Sequence, residues 1–114
     1  MTYNLDELEL NVRSWSRQRG ILDNSTASQQ FLKLVSEMGE LADNIAKQRD
    51  VRDDIGDCMV VLTNIAALSG TNLTDCMTVA WDDIKHRTGF LNENGVFVKD
   101  GDTQASFAER LCDV

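Results

Sequence analysis

The stretches LKLVSEMGELADNI (residues 32–45) and DDIGDCMVVLTNIA (residues 53–66) carry the clearest structural pattern in this chain. Apolar side chains recur in both at three- and four-residue spacing, which is the pattern of an amphipathic helix. A short polar break at residues 48–50 separates them. The chain also contains no proline, the commonest helix breaker. The sequence therefore predicts two consecutive helices.

The flanking sequence predicts two more helices, and hence an all-α four-helix bundle with a short C-terminal hairpin or extended tail. The predicted helices run from the cap Asn4 to about Arg19, from Ala27 to about Lys47, from about Val51 to Leu68, and from the cap Thr71 to about Arg87. Ser25 or Thr26, within the predicted loop DNSTAS, is expected to cap the second helix. The pair Asn94-Gly95 predicts a tight turn between short apolar groups.

Length and composition limit the classes of protein to consider. The 114 residues suffice for one domain, assigned to residues 1–99, with a tail at residues 100–114 that ends in helical turns or frays. A net charge of -8 argues against nucleic acid as a partner. No apolar run approaches transmembrane length, so we expect no membrane partner. Cys58, Cys76 and Cys112 lack metal-type spacing and fit the reduced thiols of a cytoplasmic protein.

Two acidic pairs, Glu37-x-x-Glu40 and Asp54-x-x-Asp57, lie on the second and third predicted helices. Side chains three apart share a helix face, so each pair directs two carboxylates the same way. If the helices pack antiparallel, four carboxylates can converge, and like charges so close need a cation between them. Mg2+ suits these ligands, because it binds through carboxylates together with the phosphates of a substrate.

Asp54 differs from an ordinary surface carboxylate in its position. At about 100° per residue it falls roughly 40° from the centre of the apolar stripe of the third helix, with Asp57 at the edge. A buried carboxylate is costly without a metal, a cation or a strong hydrogen-bond partner. The alternative is that these are solvated charges on acidic helices, which explains Asp50 and Asp53 well. The pattern alone leaves both interpretations open.

Together the two stretches resemble the MazG-like family of all-α nucleoside triphosphate pyrophosphohydrolases. That family's pattern is Glu-Glu-x-x-Glu, a short connection, then Glu-x-x-Asp, and residues 36–40 (SEMGE) and 54–57 (DIGD) follow it in order. The later segment IKHRTGFLNENGVFVKD also resembles the end of short MazG-like proteins. Two positions depart from the pattern: Ser36 replaces its first glutamate, and Asp54 replaces the glutamate of its second part.

The resemblance implies an enzyme that hydrolyses a nucleoside triphosphate, often a deoxynucleotide, to its monophosphate and pyrophosphate. It implies Mg2+, with Mn2+ as a substitute, held by the carboxylates of both acidic pairs. There the ions would neutralise the triphosphate and activate a water, whose proton would pass to Glu37 or Glu40. The resemblance also implies assembly as a homodimer or homotetramer.

Six further side chains are candidates for substrate binding. They are Lys33, Asn64, Lys85, Arg87, Trp15 and Arg19. The lysines and Arg87 would contact phosphates, although Lys33 can instead pair with Glu37, and the other two can complement a helix dipole. Trp15 would stack on a base, with Arg19 reading its edge, although most tryptophans at helical spacing belong to a core. Asn64 would bond the sugar or base, or else satisfy a partner in the core.

Two alternatives to a general triphosphate hydrolase remain. A non-catalytic helical interaction module would keep the fold without a complete site, and Ser36 favours it because a charge is missing there. An enzyme specific for dUTP or dCTP would differ only in base selection, which the sequence does not decide.

Overall fold

A computed structural model of the chain describes residues 2–102, which form five helices and one small antiparallel hairpin. The helices are α1 (Leu5–Gln18), α2 (Ile21–Asn24), α3 (Ala27–Ala46), α4 (Arg52–Leu68) and α5 (Leu73–Ile84), and the strands are β1 (Gly89–Leu91) and β2 (Phe97–Lys99). This predominantly helical architecture with a hairpin after the helices agrees with the predicted class. The predicted four-helix bundle is not confirmed.

The helix pair α3–α4 has the most extensive helix contact in the first of two compact units, which ends at Thr78. Asn44 near the end of α3 donates a hydrogen bond to Asp54 at the start of α4. Gln30 at the other end of α3 accepts one from Asn64, so the two helices run antiparallel. Helices α1 and α2 both contact α4. The buried apolar side chains of the described residues are Leu34, Val61 and Ala66.

Local capping places two helix starts where the sequence predicts them. Asn4 caps α1, because its side chain accepts a hydrogen bond from the backbone N–H of Glu7 at 2.9 Å. Thr26 caps α3 and forms a reciprocal capping box with Gln29. Thr26 therefore fills the role for which the sequence left two candidates.

Three predictions of local structure are wrong. The predicted loop DNSTAS begins inside the short helix α2, which follows Gly20 in a left-handed conformation (φ 79°). Asn72, and not Thr71, caps α5, since its side chain accepts from the backbone N–H of Asp75 at 2.8 Å. Helix α5 also ends about one turn earlier than the sequence predicts.

The hairpin belongs to the second compact unit, which begins at Val79. Its loop is closed by the side chain of Asn92, which accepts from the backbone N–H groups of Asn94 and Val96 at 2.9 and 3.0 Å. Gly95 has φ 75°, a conformation that favours glycine. The predicted turn therefore lies where the sequence places it.

Residues 103–114 lie outside the described part of the chain, and with them Cys112 and the predicted last helical turns. The division into a domain at residues 1–99 and a tail at residues 100–114 stays a prediction. Within residues 2–102, none of the helices combines the length and the apolar character that crossing a membrane requires.

Candidate metal centre

Three carboxylates meet where α3 and α4 pack against each other. Glu37 and Glu40 lie one turn apart on α3, and Asp57 lies on α4. One ligand oxygen from each lies within 4.8 Å of the other two. The antiparallel helix pair thus brings together three of the four carboxylates that the sequence expected to converge.

Glu37 is the buried member of this cluster, with only 7% of its surface exposed, so water does not solvate its carboxylate freely. Its Oε1 pairs with Nζ of Lys33 at 3.0 Å, the i,i+4 pair that the sequence left as an alternative. Its Oε2 is buried and has no hydrogen-bond partner among the described residues. A buried acceptor without a partner costs about 1–3 kcal/mol, so a cation bound at this oxygen would remove that cost.

Like charges and burial together raise the pKa values of Glu40 and Asp57. The negative charge of Glu37 raises the pKa of Glu40 above its ordinary value. Burial, followed by the negative charge of Asp53, raises the pKa of Asp57. The hydrogen bond to Glu37 raises the pKa of Lys33, whose charge offsets part of the repulsion. The cluster therefore favours uptake of a proton or binding of a cation.

The three oxygens fit a small divalent cation. Oxygen ligands lie about 2.1 Å from Mg2+, so two ligands of one ion lie roughly 3–4 Å apart. The oxygens of the cluster lie within 4.8 Å of one another, which is close to that spacing. Carboxylate ligands favour Mg2+ or Mn2+ over softer metals.

Asp54, the fourth predicted ligand, is not one of the three residues whose oxygens cluster. It is buried, and the amide nitrogen of Asn44 donates to both of its carboxylate oxygens at 3.0 Å. Its charge still acts on the cluster, since it contributes to the raised pKa of Asp57. The sequence places Asn44 on the same helix face as Glu37, seven positions later, but does not predict its contact with Asp54. The assignment of Asp54 as a ligand stays a prediction.

A second polar contact joins three helices at the other end of the α3–α4 pair. The buried amide of Asn64 accepts a hydrogen bond from the hydroxyl of Ser16 on α1 and donates to Gln30 on α3 at 3.1 Å. Ser16 has no exposed surface, although its polar surroundings in SWSRQRG give no hint of burial. Both polar atoms of Asn64 thus have partners within the chain, and its contact with a substrate stays a prediction.

Trp15 and Arg19 contact each other on the surface of α1. The guanidinium carbon of Arg19 lies 5.7 Å from the centroid of the Trp15 ring, which is a cation–π distance. Trp15 is 46% exposed, so its ring is not part of the core. An exposed aromatic ring beside a cation is suited to stacking on a base, which stays the prediction for both residues.

Lys85 and Arg87, the remaining candidates, belong to the second compact unit. Lys85 pairs with Asp82 at 3.0 Å, and Arg87 pairs with Asp83 at 2.7 Å. Exposed ion pairs of this kind hold their side chains only weakly. The predicted phosphate contacts of both basic residues stay predictions.

Ser36 stands on α3 where the MazG-like pattern has a glutamate, and its side chain is exposed and uncharged. Asp53 lies one turn before Asp57 on α4, and it is the acidic neighbour that contributes most to the raised pKa of Asp57. Compensation by Asp53 for the charge that Ser36 lacks stays a prediction.

Comparison with protein sequences identifies one relative. No model of a protein family matches the chain. The sequence is 38% identical over 65 residues to an uncharacterized 18.2 kDa protein of the rep-hol intergenic region of Haemophilus phage HP1 (strain HP1c1). The match covers 55% of this chain and 40% of the relative, so the chain matches less than half of the relative's length.

Comparison with solved structures supports the fold. The chain is similar to a MazG-like pyrophosphohydrolase of cyanophage S-2L, bound to dGDP and three catalytic Mn2+ ions per active site. The TM-score is 0.64 at 19% sequence identity, over 86% of this chain and 98% of that chain. Identity at this level bears on the fold alone. The chain thus has a helical fold like that of MazG-like proteins.

Proposed function

We propose that this protein is a Mg2+-dependent pyrophosphohydrolase, with Mn2+ as a substitute, that converts an NTP or dNTP to its monophosphate and pyrophosphate. The observation that carries the proposal is the carboxylate cluster on α3 and α4, in which Glu37 keeps a buried oxygen without a partner. The fold and the ligands of the cyanophage protein support the same chemistry.

In this proposal Glu37, Glu40 and Asp57 hold the divalent ions, with Asp54 as a fourth carboxylate. When bound, the ions neutralise the triphosphate and lower the pKa of the attacking water. Bound ions would compensate the negative charge of Glu37. The ammonium group of Lys33 could then leave Glu37 and contact a phosphate oxygen. The Lys33 side chain is 59% exposed, so this movement requires no repacking of the core.

The bond changes follow from attack at the α-phosphorus. The oxygen of water forms a bond to the α-phosphorus. At the same time the bond between the α-phosphorus and the oxygen that bridges it to the β-phosphorus breaks, which releases pyrophosphate and the monophosphate. The proton of the water passes to a carboxylate, and Glu37 and Glu40 are the candidates. Glu40 is exposed, whereas Glu37 is buried and paired, so Glu40 is better placed to return the proton to solvent.

The nucleoside and the outer phosphates require further contacts. We assign stacking on the base to Trp15, with Arg19 beside it. The phosphate contacts that the sequence predicts for Lys85 and Arg87 stay predictions.

The test is incubation of the full chain with each nucleoside and deoxynucleoside triphosphate, with separate detection of pyrophosphate and orthophosphate. We expect pyrophosphate and monophosphate, the products of cleavage between the α- and β-phosphates. Glu40→Gln and Asp57→Asn should abolish turnover while circular dichroism shows nearly unchanged helicity. Asp43→Asn is the matched control, because it removes an exposed carboxylate of the same helix α3. Retained turnover in both site variants would remove the site assignment.

Ser36 favours a second candidate function, a helical interaction module with an incomplete site. The same panel of nucleotides separates the two functions. A correctly folded chain that releases pyrophosphate from none of them would support the module. Turnover of dUTP or dCTP alone would identify the narrower enzyme.

We also propose assembly as a homodimer or homotetramer. Large apolar side chains on α3 and α4 remain at least 38% exposed: Phe31, Val35, Met38, Ile55, Met59 and Leu62. Apolar surface of this extent on a small protein indicates an interaction site, and a second copy would cover it. Light scattering should show a dimer or tetramer at assay concentrations, and a monomer there would contradict the proposal.

A further inference from the structure

Asn44 makes contacts that the carboxylate cluster alone does not explain. It lies on α3, one turn after Glu40 and on the same face. Its Nδ2 donates to both Oδ1 and Oδ2 of Asp54 at 3.0 Å. Asp54 is only 7% exposed, so its negative charge would be costly without this donor.

Arg49 also forms hydrogen bonds with Asn44. The backbone N–H of Arg49 donates to the backbone carbonyl of Asn44 at 2.9 Å. The backbone N–H of Gln48 donates to the backbone carbonyl of Ile45 at 3.0 Å. With Gln48 in a left-handed conformation (φ 56°), the two bonds form a Schellman motif that ends α3. The guanidinium of Arg49 also donates a long hydrogen bond (3.5 Å) to Oδ1 of Asn44. Backbone and side chain of Asn44 are thus both held.

The chemistry of an amide suits this position. A carboxylate only accepts hydrogen bonds, so Asn44 can present only its NH2 group to Asp54, while its oxygen is left for a donor such as Arg49. The amide is neutral, so it orients the carboxylate without cancelling its charge, as a lysine or arginine would. A carboxylate has about four acceptor sites, so Asp54 keeps lone pairs for a cation.

We infer that Asn44 is a positioning residue, which holds the carboxylate of Asp54 in place as the fourth oxygen ligand beside the three clustered carboxylates. The inference rests on the proposed function, because it assigns Asn44 a role toward divalent ions at that same site. Partners that orient a metal ligand typically contribute about 10–100-fold to metal affinity.

The test is binding of Mn2+ alone to the full chain without nucleotide, measured from the electron paramagnetic resonance of free Mn2+. Asn44→Leu removes the donor at nearly the same side-chain volume, and we expect Mn2+ affinity to fall about 10–100-fold. Asn11→Leu makes the same change at an exposed asparagine of α1. This matched control should bind Mn2+ like the wild type.

Two further variants separate positioning from structural support. Asn44→Gln keeps a donor amide but moves it by one methylene, so it should weaken Mn2+ binding and leave the thermal unfolding midpoint of the metal-free protein near that of the wild type. In a chain that already carries Asp54→Asn, Asn44→Leu should cause no further loss of affinity, because the two residues act as a unit.

The outcomes distinguish the inference from the function on which it rests. Unchanged Mn2+ affinity in both Asn44→Leu and Asn44→Gln would overturn the inference and leave the proposed function intact. Independent, additive losses from Asn44→Leu and Asp54→Asn would overturn it as well. A wild-type chain that binds no Mn2+ would overturn the proposed function, and the inference with it.

Discussion

Replacing Glu37 by glutamine should stabilise the metal-free protein and remove its response to divalent ions. The carboxylate is buried beside Glu40 and Asp57, and its Oε2 has no hydrogen-bond partner among the described residues. Glutamine has nearly the same shape but carries no charge, and it offers an NH2 group that can donate to the neighbouring carboxylates. The substitution therefore removes both a repulsive charge and a buried acceptor without a partner.

The expected magnitude follows from these contacts. A buried acceptor without a partner costs about 1–3 kcal/mol, and the glutamine removes that cost. The substitution also loses the ion pair with Lys33, which contributes little because the Lys33 side chain is 59% exposed. We expect the free energy of unfolding to rise by about 1 kcal/mol, which corresponds to a rise in unfolding temperature of about 4 °C for a domain of this size.

The assay is thermal unfolding of wild type and Glu37→Gln, first with a chelator and then with Mn2+. An ion present at 100 times its dissociation constant stabilises a protein by about 2.7 kcal/mol, so Mn2+ should stabilise the wild type strongly. The variant should not respond, and the order of the two unfolding temperatures should reverse. Asp43→Asn is the control, because it removes the acid of another i,i+4 ion pair on α3 and lies outside the cluster.

The opposite behaviour in the chelator would show that the Glu37 carboxylate stabilises the metal-free protein. If Glu37→Gln lowers the unfolding temperature of the metal-free protein while Asp43→Asn does not, then the Glu37 carboxylate is a structural ion pair with Lys33. An equal response of wild type and Glu37→Gln to Mn2+ would show that this carboxylate does not hold the ion.

Three further outcomes are expected. Ser36→Glu, which restores the charge of the MazG-like pattern, should alter the Mg2+ dependence of turnover, and an unchanged titration would show that the position is peripheral. Because the charge of Glu37 raises the pKa of Glu40, the folded, metal-free protein keeps the Glu40 proton to higher pH than the unfolded chain does. Its free energy of unfolding should therefore fall as the pH rises from the ordinary glutamate pKa of 4.5 through the raised pKa of Glu40, and urea titrations should show a smaller fall in Glu40→Gln. Trp81 is the other tryptophan of the chain, so a Trp81→Phe variant reports the fluorescence of Trp15 alone. If Trp15 stacks on the base, a nucleotide should quench that fluorescence, and no change would remove Trp15 from the site.

The meeting of Glu37, Glu40 and Asp57 could be predicted because it depends on local rules. The three-residue spacing places both glutamates on one face of α3. The short connection at residues 48–50 favours antiparallel packing of the next helix, which brings Asp57 to the same place. Neither step requires knowledge of the rest of the chain.

The contact between Asn44 and Asp54 could not be predicted in the same way. It depends on where α4 begins and on how α3 ends, and a shift of one residue rotates a helical side chain by about 100°. Glycine usually occupies the left-handed position at a helix end, but here Gln48 occupies it. The sequence therefore contains no glycine that would predict the Schellman motif. The short helix α2 escaped prediction because a single turn is too short to show a period.

Burial is the other property that the sequence did not decide. The periodicity that predicts α3 includes Phe31, Leu34, Val35, Met38 and Ile45, but only Leu34 is buried within the chain. A helical period identifies an apolar face and does not say which surface covers it. The proposed second copy of the chain would account for the exposed members of this stripe.

Anomalous diffraction from a crystal soaked in Mn2+ would locate the divalent ions themselves. We expect anomalous peaks at coordination distance from the carboxylate oxygens of Glu37, Glu40 and Asp57. A map without such peaks at saturating Mn2+, with these three side chains directed into solvent, would show that the cluster is not a metal site.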